Sequence, residues 1–127
     1  MLMTAVTLNE SNSAESLCEA GIDLLSTGDA AGAANAFRAA IAADPGHVEA
    51  HHGLVRALRD AGQLNQSVAA AMALTVLTPE DPLAHTALSI SLQTAGHVPQ
   101  AETAAGRARI LEWKVQLNTP PDEDSLA

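Results

Sequence analysis

The chain has 127 residues, of which 47% are apolar, yet it holds one Phe, one Trp and no Tyr. Alanine makes up the difference with 27 copies, which favours closely packed helices and disfavours a sheet, since strands draw on β-branched and aromatic side chains. A formal charge of −9 opposes any binding to nucleic acid or anionic lipid that rests on phosphate neutralisation, and it suits a basic protein surface better.

In chain order, Met1 to Asn12 carries no basic residue and no long apolar run. It lacks the features of a secretory leader and is expected to be flexible. The first helix is predicted over 13–27, with Asn12 capping it and Glu15 reaching back in a capping box. Gly28 follows the apolar Leu24 by four residues, the place for a helix C-terminus that must enter a left-handed conformation. A second helix is predicted over 30–43, stopped by Pro45, which cannot continue it and forces an extended residue before it. The same sequence of signals recurs. A helix over 48–61 ends at Gly62, one over 64–77 ends at Pro79, and Asp81-Pro82 opens a helix over 82–95 with a capping acid and a first-turn proline. Gly96 closes that helix, and His97-Val98-Pro99 opens the last, predicted over 98–117 with nothing to break it. Asn118 to Ala127 carries two prolines and three acidic residues and reads as a disordered acidic tail. No stretch reaches the ~20 apolar residues of a membrane span. The expectation is an all-α cytoplasmic protein.

The recurrence has a fixed period. Gly28, Gly62 and Gly96 are 34 residues apart, as are Pro45 and Pro79, and Leu24, Leu58 and Leu92 keep the same phase. A period of this size marks a stack of helix pairs. The pattern resembles the tetratricopeptide repeat family, whose unit is 34 residues long. Leu17, Gly21, Leu24, Ala33, Phe37, Ala40 and Pro45 occupy that family's large, small, aromatic and proline positions in the first unit, about 14–47. The second unit, about 48–81, departs at Val55, Ala71 and Leu74. In the third, about 82–117, Trp113 stands where the closing proline would be. The resemblance implies a right-handed superhelical stack of three hairpins and a role in holding another protein. Such arrays usually end in a helix with a polar outer face. No residues remain to supply one, so the last unit is expected to leave an apolar face bare.

The resemblance also implies that partners bind a concave face lined by the first helix of each pair. Its outward positions are Glu15, Cys18, Glu19 and Ile22, then Glu49, His52, Arg56 and Arg59, then Leu83, Thr86, Ile90 and Gln93. The face is acidic at one end, cationic in the middle and largely neutral or apolar at the other. Arg56 and Arg59 project from one helix face and suit bidentate capture of a carboxylate. Some family members clamp the C-terminal carboxylate of a chaperone with Lys, Arg and Asn. The matching positions here, Cys18, Ile22, His52, Leu83 and Ala87, cannot make that clamp. A second candidate is the apolar end of the last helix, Ile110, Leu111, Trp113, Val115 and Leu117, as an anchor for a partner or a second copy.

His47, His51, His52 and His85 could suggest a metal, but only His47 and His51 have a ligating spacing, and His51 and His85 fall at a packing position. Cys18 permits neither an intrachain disulfide nor a thiolate cluster, and beside Glu15 and Glu19 its thiolate is disfavoured. No nucleophile triad or phosphate loop is present. The sequence therefore predicts a protein-binding adaptor or scaffold without enzyme activity, metal or cofactor. It also resembles small acidic secretion chaperones in having three such repeats, and an accessory subunit of a larger complex is a further expectation.

Overall fold

The structure, a computed structural model, describes residues 13–119. The expectations for Met1–Asn12 and for the tail beyond Thr119 fall outside the described residues. Six helices follow in order: α1 Ala14–Ser26, α2 Ala30–Ala43, α3 Val48–Asp60, α4 Leu64–Leu77, α5 Pro82–Thr94 and α6 Val98–Asn118. Among the described residues there is no strand.

Local chemistry sets the ends. Ser13, not Asn12, caps α1, its Oγ accepting the Ser16 N–H at 3.1 Å. The cap therefore sits one residue later than the Asn12 expected. Asp29 and Asp81 cap α2 and α5 through Gly32 N–H and Leu83 N–H. Gly28, Gly62 and Gly96 have φ of 89°, 78° and 88°. Each closes the same pair of hydrogen bonds: in the first, Gly28 N–H donates to the Leu25 carbonyl and Asp29 N–H to the Leu24 carbonyl, a Schellman motif. With no proline at Trp113, α6 runs 21 residues against 13 or 14 for the others.

The helices stack as three antiparallel pairs, α1 on α2, α3 on α4 and α5 on α6, with each second helix also packing on the next first helix. First helices touch one another, α1 with α3 and α3 with α5, while the second helices stay apart. A row that is close on one side and splayed on the other must curve, and the first helices therefore line the inside.

Packing explains where the second unit departs from the first. Phe37 is fully buried between Gly21 of α1 and Gly53 of α3; a Cβ on Gly21 would come within 2.8 Å of its ring. One repeat on, the aromatic position is Ala71 and its volume is restored by Val55 and Leu74, both buried in the second core with Ala84. Swaps that keep core volume are tolerated. Two hydroxyls tie the later pairs: Ser67 Oγ donates to the Val55 carbonyl at 3.0 Å, and Ser89 Oγ to the Ala101 carbonyl at 2.8 Å. These pairs occupy equivalent positions with donor and acceptor helices exchanged.

The expectation of a bare apolar end face is corrected only in the middle of α6, since Val98, Ile110, Trp113 and Leu117 of that helix are exposed. Ala34 and Ile41 of α2 pack into the first core, whereas the equivalent positions of α6 are Glu102 and Arg109, both exposed. At these two positions the last pair carries its own polar covering where a fourth would dock.

Candidate functional site

On the inner face, Ile22, Glu49, His52 and Arg56 border a hollow of about 380 Å³ whose floor includes Phe37 and Gly53. A second hollow of about 330 Å³ adjoins it and is bordered by His52, Arg56, Arg59, Leu83, Thr86 and Ile90, with Val55 and Ala87 beneath. His52 and Arg56 belong to both, so the two form one groove across α1, α3 and α5. Helical spacing brings these residues together, since positions three or four apart share a face.

Glu15 and Glu19 are exposed on α1 but border neither hollow. Gln93 lies instead against Val98, Glu102 and Ala105 at the end of the stack. Cys18, expected on the groove face, is only 2% exposed; as a small apolar residue it turns into the first core with Ala33 and Ala50. Burial raises its thiol pKa, and the negative charges of Glu49 and Glu19 raise it further, so the thiol stays protonated. The groove floor was missed by sequence reasoning, although Phe37, the sole Phe, was the available signal.

Arg56 Nε meets Asp60 at 3.8 Å, a loose contact between exposed side chains. Arg59 makes no ion pair among the described residues. Both guanidinium groups thus remain open to a ligand in the groove. Burial lowers the His52 pKa; Asp81 opposes that shift and His51 adds to it. The groove is therefore cationic at Arg56 and Arg59 only, with Glu49 at one side and the apolar Leu83 and Ile90 at the other.

Three other histidines, His47, His51 and His85, are engaged structurally. His47 Nδ1 accepts the Ala50 N–H at 3.1 Å as the cap of α3. His51 Nε2 donates to the Pro45 carbonyl at 2.8 Å, and His85 Nε2 to the Pro79 carbonyl at 2.9 Å. A carbonyl can only accept, so Nε2 carries the proton in both. Each bond pins a proline turn to the helix that follows it.

The end of α6 divides. Leu111 is buried, a correction to its place in the expected patch, because it lies on the side of α6 that turns inward. Val115 borders a cleft with Glu80 and Lys114. Ile110, Trp113 and Leu117 are exposed by 50%, 65% and 70%.

A family model for the tetratricopeptide repeat matches residues 24–90, more than half of the chain. The chain belongs to the tetratricopeptide repeat family. Solved structures agree on the fold. MamA superposes with a TM-score of 0.77 at 19% identity, over 84% of this chain and 62% of MamA. The Yersinia enterocolitica type III secretion translocator chaperone SycD, in a structure described as an alternative dimer, gives 0.73 at 20% identity, over 84% of this chain and 78% of SycD. The second tetratricopeptide domain of Spaghetti (RPAP3), bound to the HSP90 peptide SRMEEVD, gives 0.72 at 15% identity, over 84% and 98%. The chain spans less than two thirds of the length of MamA. No curated protein matches the sequence. The superhelical stack of helix pairs is thus the fold, and this family's scaffold serves protein interaction. Among the described residues no helix is long and apolar enough to cross a membrane.

Proposed function

We propose that this tetratricopeptide protein is a cytoplasmic adaptor or scaffold that holds a peptide or helix of another protein in the groove across α1, α3 and α5, without catalysis or cofactor. The observation that carries this is the continuity of the two hollows through His52 and Arg56. Arg56 and Arg59 would grip an acidic side chain or a chain terminus. Leu83 and Ile90 would receive apolar side chains, and Glu49, with Glu15 and Glu19 beyond it, would receive a basic one. The groove does not reproduce the chaperone-carboxylate clamp, because Cys18, Ile22, His52, Leu83 and Ala87 stand at its positions. The ligand is neither nucleic acid nor lipid, in keeping with the charge of −9.

Affinity purification from the source organism with the native chain and with Arg56→Ala/Arg59→Ala tests this. The native chain should retain a partner that the double variant loses, by at least about tenfold in affinity. Identical retention by both would remove the arginines from the site. A secreted client stabilised by co-expression would assign the groove to a secretion or assembly chaperone, and insolubility without a particular complex to an accessory subunit.

A second reading has its own observation. Ile110, Trp113, Val115 and Leu117 are exposed together at the end of α6, and contiguous apolar surface of this kind marks a contact. It supports self-association through the last helix.

A further inference from the structure

The outer side of the stack changes from one repeat to the next. Between α2 and α4, Arg38 Nη2 of α2 donates to Gln66 Oε1 of α4 at 2.9 Å, tying the two splayed helices together. Leu58, on α3 between them, is 2% exposed. One repeat on, Gln100 keeps the place of Gln66, but Met72 stands where Arg38 stood. A thioether has no N–H to donate, so the tie cannot form. Leu92, the counterpart of Leu58, is only half-buried. The interval between α4 and α6 remains open as a slot of about 550 Å³, with Leu88 and Leu92 on its floor and Met72, Ala104 and Arg107 among its walls.

Gln100 apart, the polar groups at this slot are already engaged within the chain, Thr103 Oγ1 donating to the Pro99 carbonyl at 3.2 Å. His85 Nε2 donates to the Pro79 carbonyl, and Arg107 meets Glu80 at 3.8 Å. What the slot lacks is apolar contact. An occupant should therefore bring an apolar ridge at helical spacing.

The same helix that walls the slot carries such a ridge further along. Ile110, Trp113 and Leu117 lie at i, i+3 and i+7 on α6, all half or more exposed, and so share one face. Turning a second copy antiparallel along α6 places the ridge of each beside the wall of the other. This is a closed, isologous arrangement in which each contact is made twice. Net charge does not oppose it locally: α6 bears Arg107, Arg109 and Lys114 against Glu102 and Glu112, while the chain as a whole is at −9. We infer that two copies of the chain associate along α6, the Ile110–Trp113–Leu117 ridge of one seated in the Met72–Leu88–Leu92 slot of the other. The inference rests on the self-association reading above and adds to it the surface that receives the ridge.

The test is sedimentation equilibrium of the full chain over a wide concentration range, with emission of the sole Trp113 followed alongside. Association with a blue shift of Trp113 is expected. Met72→Arg restores the donor that Arg38 supplies one repeat earlier and should close the slot against Gln100. It should weaken association by at least about tenfold while circular dichroism stays native, since Met72 is 56% exposed. Trp113→Ala should weaken it as much. A mixture of Met72→Cys and Trp113→Cys chains should form a cross-linked heterodimer under mild oxidation, which checks the seat without relying on either loss. A monomer at every concentration, with Trp113 wet, would overturn both the self-association reading and this one. Association lost in Trp113→Ala but intact in Met72→Arg, without the heterodimer cross-link, would leave the ridge as an interface and overturn the slot as its seat.

Discussion

Replacing Gly53 with Ala probes the packing that forms the groove floor. In an open helix this change gains about 0.5–1 kcal/mol by reducing the freedom of the unfolded chain. Here the new methyl would overlap the Phe37 ring, which is already pressed against Gly21 from the other side. Overpacking a tight core costs about 1–3 kcal/mol, so Gly53→Ala should lose about 1–2 kcal/mol net. Phe37→Ala alone should cost about 3–5 kcal/mol, the range for deleting a buried aromatic ring. With the ring gone, however, Gly53→Ala has space and should become stabilising by about 0.5–1 kcal/mol. Urea unfolding of the native chain, both single variants and the double variant, followed by far-UV circular dichroism, gives the coupling directly. A substitution that keeps the same sign in both backgrounds would refute the claim that Phe37 is wedged between two helices through their glycines.

Three further outcomes follow from single features. Gly62 has φ of 78° with nothing near its missing Cβ, so Gly62→Ala should cost about 1–2 kcal/mol from backbone strain alone; Gly106→Ala, within α6 and with only Arg109 at 3.7 Å, should gain about 0.5–1 kcal/mol, and melting curves that moved together would contradict this contrast. Stability should decline as pH falls below about 6.5, the unfolded histidine value, because burial lowers the folded His52 pKa and the unfolded chain then binds more protons; the decline should level off below the folded value and shrink in His52→Gln, and chemical denaturation across this window measures it. Cys18, buried and held protonated, should react with iodoacetamide far more slowly in the native chain than in denaturant; equal rates would place it on the surface.

The helices were legible in the sequence because their stop signals are local. A glycine with positive φ and a proline without an N–H act through their own backbone, and six helices appear within a residue of the spans read from them. Much of the groove was legible too, since Ile22, Glu49, His52, Arg56, Arg59, Leu83, Thr86 and Ile90 border the two hollows. Cys18 and Leu111 were not, because whether a small or apolar residue turns inward depends on helix rotation, which neighbouring helices fix.

The sequence by itself determined the period, the pairing of helices and the unbroken length of α6. Each of these follows from residues acting on their own turn. Tertiary structure alone decided which faces remain open. Phe37 fills the gap between two glycines 32 residues apart, Arg38 reaches Gln66 across 28 residues, and Met72 fails to make the equivalent reach. Such closures depend on side chains meeting across separate helices, and the distance between those helices is set only when the stack assembles and curves.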